Sequence, residues 1–358
     1  MAGSGAGPFC VRRLGVVMRP DPGAEDERQG VLNPGAARGP DSTLYLFPRL
    51  VDGATCSRIG VVRVRFTPDG DPAGITRLGY ALEPREPYEL QPQKGTGGCE
   101  DPRVTYVEPL QQYVMTYVAL GPSGPRIALA ISEDLWTWTR LGPVDLGRST
   151  YGADFDHYGN KDGALFPHAV SGPDGREALA LLHRPLYNED DHPRRVSDPR
   201  PGIWLSFYPL DAARRDVRAL TTMRHHHLLA EPEHGWEEAW IGGGAPPVPT
   251  PLGWLHIYHA VRRRPPRYPG EPKPLDYSAA VLVLDTRDPR RVVYRSPDPI
   301  LAPQTPDEVE GPGPSAVFPT GVDNRGHRRL DVYYGMADTR IGAACLQIPT
   351  QLPVATPS

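Results

Sequence analysis

Five times along this chain, an aromatic-rich apolar run is followed, after a short loop, by a second run of small and branched apolar residues. The pairs read "TLYLFPRLVDGATCSRIGVVRV", "QYVMTYVALGPSGPRIALAIS", "EALALLHRPL" with "GIWLSFYPL", "GWLHIYHAV" with "YSAAVLVLD", and "RLDVYYGMADTRIGAACLQI". They start near residues 43, 112, 177, 253 and 329. The runs are short, bounded by Gly, Pro and Asp, and lack a 3.6-residue period, so they are strands rather than helices. A strand pair repeated in order buries its apolar faces by packing on its neighbours, and a spacing of about 65 to 76 residues leaves room for insertions. Further strand-like pieces, "WTWTRLGP" and "RVVYRS", follow some pairs. Four strands per unit would make a blade. The chain therefore reads as all-β, a five-bladed β-propeller with a central active-site pocket; a β-sandwich is the competing arrangement. Residues 1–30 are expected to be an N-terminal extension packing on the propeller, 31–350 the catalytic domain and 351–358 a C-terminal tail.

Composition supports a folded, loop-rich β protein. The 44 Pro and 38 Gly supply the turns that many strand ends require, while 6 Trp and 16 Tyr argue against disorder. A net charge of −4 leaves no basic footprint for nucleic acid and no polybasic membrane segment. Only three basic residues are lysines: Lys94, Lys161 and Lys273. The four cysteines, Cys10, Cys56, Cys99 and Cys345, form no CxxC pair, which argues against zinc. The N-terminus lacks a signal-peptide core, and no apolar run is long enough to span a membrane. The expectation is a soluble, cytoplasmic protein with reduced thiols.

In a propeller the innermost strands surround a pocket. Polar residues at strand ends would line it: Arg49, Arg58, Tyr117, Arg126, His183, Arg184, Tyr258, His259 and Asp338. Such a lining suits a sugar or an anion. "EDPR", Glu100 to Arg103, immediately precedes the aromatic strand of the second pair. Pro102 is expected to push Asp101 into an extended conformation. A rigid carboxylate there could be a general acid, or it could cap an Asp-Pro turn. Lys161 in "GNKDGALFP" is either a point charge for an anion or part of an exposed turn. Arg126, Lys161 and His183 together would make a phosphate site. The histidines at 225 to 227 alternate faces and lack a matched carboxylate or Cys, so no metal is expected. "IGGGAPP" runs into prolines and a strand rather than a helix, so it reads as a close-packed turn near the pocket.

The ordered set "VLNPGAA", "LYLFPRLV", "SRIGVVRV", "GGCEDPRVTYVE", "YVMTY", "GPRIALAISEDL", "NKDGALFP", "LLHRP", "GWLHIYH", "YSAAVLVLD", "VFPTGVD" and "DVYYGMADTRIG" resembles glycoside hydrolase family 130, the β-mannoside phosphorylases and related β-mannosidases. The likeness runs from about Val31 to Leu346. It implies a five-bladed propeller that cleaves a terminal β-mannosidic bond with inorganic phosphate and inversion, giving α-mannose 1-phosphate. It implies Asp101 as the general acid, acting through a mannosyl hydroxyl. Phosphate would be held by Arg126, Lys161 and His183, with Arg140. Asp338 would bind mannosyl hydroxyls beside Arg49 and Arg58, with Glu100, Tyr117 and His259 in the substrate set. Glu100 is expected to position Arg103 or a sugar hydroxyl. The partners implied are a small β-mannoside or oligosaccharide and inorganic phosphate, with no metal or organic cofactor, no nucleic acid and no membrane; a homo-oligomer is left open.

An inverting hydrolase needs a second carboxylate to activate water, whereas phosphate is already an anionic nucleophile. One acid with a basic trio therefore favours phosphorolysis. The runner-up is an inverting β-mannosidase with Glu308 or Glu310 as base; a catalytically silent sugar-binding propeller is the third reading. The chain departs from the family pattern at Trp240, where a basic residue is expected, at Ala260 in place of Gly, and at Asp307 in place of Tyr. A charged insertion runs from Tyr187 to Pro199. These positions are expected to touch the acceptor side.

Overall fold

The computed structural model describes residues 7–91, 96–148, 154–187, 201–271 and 274–353. Lys94, Lys273 and residues 188–199 of the charged insertion lie outside them. Within the described residues the main strands form five four-stranded antiparallel units. Unit one comprises Gly30–Arg38, Leu44–Val51, Cys56–Phe66 and Pro72–Leu82. Unit two comprises Thr96–Val107, Gln112–Gly121, Gly124–Ser132 and Thr139–Pro143. Unit three comprises Gly159–Leu165, Glu177–Leu186, Ile203–Pro209 and Arg224–Ala230. Unit four comprises Trp240–Gly243, Gly253–Arg263, Leu275–Leu284 and Val292–Arg295. Unit five comprises Ser315–Asn324, Arg329–Met336, Arg340–Gln347 and, as its fourth strand, Cys10–Met18.

The recurring pair in the sequence is thus the second and third strands of each unit. These run through the interior, so their apolar side chains face neighbours on both sides. Part of the N-terminal segment is itself a strand. Cys10 to Met18 pair with Gln347 to Ile341 and complete unit five, because the third strand there would otherwise be left as an open edge.

The core lies between units. One apolar cluster joins units one and two through Phe47, Ile59, Met115 and Ala128. Others join two to three, three to four and four to five. A further cluster joins unit five back to unit one, with Tyr333 and Ile341 against Leu44, Leu46 and Val62. First strands also touch in the same order: Thr105 Oγ1 donates to the Leu165 carbonyl at 3.3 Å, and Thr320 Oγ1 donates to the Pro34 carbonyl at 3.0 Å.

A second repeat binds the linkers to the units. In unit two, buried Glu89 accepts from Arg140 of the fourth strand at 2.8 Å and from Tyr117 of the second strand at 2.7 Å. In unit four, Glu237 accepts from Arg295 at 2.6 Å and Tyr258 at 2.7 Å. In unit five, Glu308 accepts from Arg13 at 2.8 Å and Tyr334 at 3.0 Å. Each glutamate is also the third residue of a capping box on a one-turn helix. Glu27 with Arg77 of unit one, at 2.7 Å, is a reduced version without the tyrosine. Each clasp pairs its buried carboxylate with a guanidinium, the condition under which a buried charge is tolerable.

Candidate active site

The first strands of units one, two and three share one irregularity. Their pairing registers slip between Leu32 and Gly35, between Glu100 and Arg103, and between Lys161 and Ala164. At each slip one polar residue takes a left-handed backbone: Asn33 at φ 46°, Asp101 at φ 45° and Asp162 at φ 60°. A bulge re-aims a side chain that a regular strand would point into the sheet. Asp101 is therefore not extended, as the following proline suggested; the bulge overrides the local preference at a strain that tertiary contacts must offset.

Those contacts come from three units. Asn33 Nδ2 donates to Asp101 Oδ1 at 2.8 Å, and Arg49 Nη1 donates to the same oxygen at 3.2 Å. Arg103 Nη1 donates to the Asp101 carbonyl at 2.9 Å and holds the bulge from below. Oδ2 of Asp101 has no hydrogen-bond partner among the described residues, although Asp101 is only 6% exposed. Burial pushes this carboxyl up, but the charges of Arg49, Lys161 and Arg103 and the Asn33 bond outweigh it, and its pKa lies below the ordinary value.

Glu100 bridges two cations. Arg49 Nη2 donates to Oε1 at 2.8 Å and Lys161 Nζ donates to Oε2 at 3.1 Å. It does not touch Arg103. That guanidinium instead lies wholly buried between the Asp101, Gly243 and Gly244 carbonyls and Asp162, 3.3 Å from its Oδ1. Asp162 also accepts from Arg184 Nε at 2.5 Å. Burial raises Asp162, but Arg184, His259 and Arg103 more than reverse this and hold it far below its ordinary value. Gly242 explains the "IGGGAPP" stretch: a Cβ there would lie 2.4 Å from Asp162 Oδ2 and 2.6 Å from Arg184 Nε. Asp338 reaches the same centre. It occupies a left-handed turn at φ 54°, and its charge acts on Arg49 and Tyr277.

The structure thus gathers Asp101, Glu100, Arg49, Lys161 and Asp338. Four other candidates are placed elsewhere, and His259 borders the centre with its Nε2 3.9 Å from Asp162 Oδ2. Tyr117 and Arg140 belong to the Glu89 clasp, so neither is available to a ligand. Arg58 is on the opposite face of its strand from Ser57, the partner of Arg49, and pairs with Asp26 and Asp52. His259 is fully buried and bonded to the Gly243 carbonyl at 3.2 Å; burial pushes its pKa down to about 3, so it is a neutral packing ring. His183 is also fully buried. Its Nε2 meets Ser206 Oγ at 2.7 Å, Ser206 meets His226 Nδ1 at 2.7 Å, and His226 Nε2 meets the Leu146 carbonyl at 2.7 Å. A carbonyl only accepts, so His226 Nε2 donates, and at the other end of the chain His183 Nδ1 faces Asn160 Oδ1 at 3.3 Å. Burial lowers both histidines, His226 to about 4, and this neutral chain offers phosphate no charge.

Of the basic trio, then, Lys161 alone bonds an acid of the site. Arg126 sits at the boundary of units two and three, where it holds the Tyr158 carbonyl and lines a surface cavity of about 290 Å³ with Tyr88, Asp145 and Asp156. Glu308 is saturated by its clasp. Sequence reading missed Asn33, Arg103, Asp162 and Tyr277 as residues of the centre and left Arg184 without a role. The repeated bulge was the missing signal, and only pairing registers reveal it.

A buried centre where first strands present acids, and first and second strands present arginines, has the chemistry of a site for a polar ligand. The family model described as β-1,4-mannooligosaccharide phosphorylase matches residues 17–352. The chain is 30% identical over 286 residues to the 1,2-β-oligomannan phosphorylase of Thermoanaerobacter sp. (strain X514), covering 76% of this chain and 79% of that protein. It is 27% identical over 246 residues to the β-1,4-mannooligosaccharide phosphorylase of Ruminococcus albus, covering 68% and 61%. Among solved structures, the Listeria innocua β-1,2-mannobiose phosphorylase in complex with β-1,2-mannobiose superposes with a TM-score of 0.69 at 23% identity, over 94% of this chain and 97% of that one. The chain belongs to glycoside hydrolase family 130, and it is an enzyme of that mannoside phosphorylase family.

Proposed function

We propose that the protein is an inverting phosphorylase that cleaves the terminal β-mannosidic bond of a small β-mannoside with inorganic phosphate, releasing α-mannose 1-phosphate. The observation that carries this reading is Asp101, braced through one oxygen by Asn33 and Arg49 while the other stays unengaged among the described residues. A general acid needs one oriented oxygen and one that can carry the proton. The substrate mannosyl unit would lie over Asp101, Arg49 and Asp338, and one of its hydroxyls would relay the proton to the glycosidic oxygen.

Phosphate would draw on Lys161, whose side chain is 27% exposed and held by a single carboxylate oxygen, with Arg126 as the second candidate cation. An incoming dianion offsets the cations that keep Asp101 ionised. Its pKa then rises, so phosphate arrival and protonation of the acid favour each other. The hydrolytic alternative loses Glu308, whose oxygens are filled by Arg13, Tyr334 and two backbone amides. Glu310 is the remaining candidate base.

The same reading takes the five four-stranded units as blades of one propeller. It is supported by the five inter-unit core clusters and by the N-terminal strand that completes unit five. Incubation with β-1,2-mannobiose, β-1,4-mannobiose and mannosyl-glucose, with and without phosphate, tests the function. Mannose 1-phosphate formed only with phosphate is expected; free mannose formed at the same rate without phosphate would establish hydrolysis instead.

A further inference from the structure

Trp240 opens the first strand of unit four, two residues before Gly242, and shares that residue's face of the strand. It is half-buried, and its ring meets Tyr277 edge to face at 6.1 Å and 77°. Tyr277 is half-buried too, and a fixed layer supports it. Its ring lies near-parallel to His259 at 6.0 Å, Phe318 packs on His259 at 4.5 Å, and His259 is pinned to the Gly243 carbonyl. The Tyr277 hydroxyl has no hydrogen-bond partner among the described residues. His259, on which the ring stacks, stands with its Nε2 3.9 Å from Asp162 Oδ2, so one ring separates Tyr277 from the acids, and burial raises the phenol while the charges of Arg184, Asp338, Asp162 and Asp101 act on it. Two aromatic rings, rigidly backed and open on one side, stand beside a carboxylate centre that needs no apolar wall of its own.

The direction of the reaction gives the wall a use. In an inverting displacement the nucleophile and the leaving group stand on opposite sides of the reacting carbon. The cations available to an anion, Lys161 and Arg126, come from the boundary of units two and three. Trp240 and Tyr277 come from unit four, beyond Arg184 and Asp162. A sugar ring presents a face of C–H groups that matches the negative face of an aromatic ring, while its hydroxyls can meet a polar tip such as the Tyr277 hydroxyl. We infer that Trp240 and Tyr277 form the wall on which the leaving-group sugar stacks, and that Trp240 is a specificity-determining residue for the aglycone. The wall rests on the mannoside-cleaving reading and adds to it the subsite that this chain builds with an indole.

The test uses the synthetic direction, with α-mannose 1-phosphate as donor and mannose or glucose as acceptor. Trp240→Ala is expected to raise the acceptor KM roughly tenfold, with the KM for α-mannose 1-phosphate and for phosphate within about twofold of wild type. Trp240→Phe, which keeps a ring, is expected to recover most of the loss. An unchanged acceptor KM in Trp240→Ala, or a rise confined to the phosphate KM, overturns the wall. A second measurement needs no turnover: calorimetric titration of Asp101→Asn, with and without Trp240→Ala, by β-1,2-mannobiose and by mannose. Loss of affinity for the disaccharide alone upholds the wall even if wild type makes no mannose 1-phosphate, in which case only the phosphorylase reading falls. Equal loss for both sugars overturns it.

Discussion

Glu89 and Asp101 are both buried carboxylates held by arginine, and they are engaged differently. Glu89 has no capacity to spare. Arg140, Tyr117 and the backbone amides of Arg85 and Glu86 occupy its two oxygens at 2.7 to 3.2 Å. Asp101 is engaged on one oxygen only, and it sits on a left-handed bulge. A saturated carboxylate stabilises the fold, whereas a half-saturated one on a strained backbone keeps capacity for a ligand at some cost in stability. Saturation, more than burial or an arginine partner, separates the two.

That contrast can be broken from either side. Asp101→Asn is expected to lower kcat by about 10²–10⁴-fold with thermal unfolding unchanged or slightly improved; activity near wild type would remove Asp101 from the mechanism. Arg140→Ala should do the reverse. It strands Glu89 in the core and should cost about 3 kcal/mol of stability by denaturant titration, while the folded fraction keeps its KM values. A large change in phosphate KM there would return Arg140 to the site.

Lys161→Ala lies between these extremes. It should raise the phosphate KM by about 10–100-fold, because among the described residues of the centre the ammonium is held by one carboxylate oxygen alone. It also removes a charge that depresses the Asp101 pKa. The acid then holds its proton to higher pH, so the alkaline fall of the pH–rate profile should move upward. A downward move, or no move, would separate Lys161 from Asp101. The smallest effect is expected for Tyr117→Phe, about 1 kcal/mol of stability from one hydrogen bond to a charged group, with no kinetic signature.

Much of this was legible in the residues and part was not. The second and third strands announced themselves because they are apolar on both faces and short. The first strands did not, since Gly, Pro and acids interrupt them where they meet at the centre. "EDPR" stood out as a candidate, and Asp101 is at the centre. Tyr117 and Arg140 looked equally suitable because a tyrosine or arginine in a strand reads the same whether it faces a ligand or a buried glutamate. The clasp signature was present in "REPYEL", "PEHGWEE" and "QTPDEVE", each with a glutamate three residues after a capping position, but its arginine lies far along the chain and in unit five comes from the N-terminus.

By itself the sequence determined the all-β class and the family and singled out Asp101 as a candidate, because strand periodicity, turn residues and an ordered set of motifs are local properties. The tertiary structure decided which charges are spent and which remain available. It closed unit five with Cys10–Met18, bent three first strands so that Asn33, Asp101 and Asp162 point to one centre, and turned His183 and His259 inward. Those outcomes depend on pairing register and on partners from other units, and a hydrogen bond already made between two units leaves no trace in the order of residues within either one.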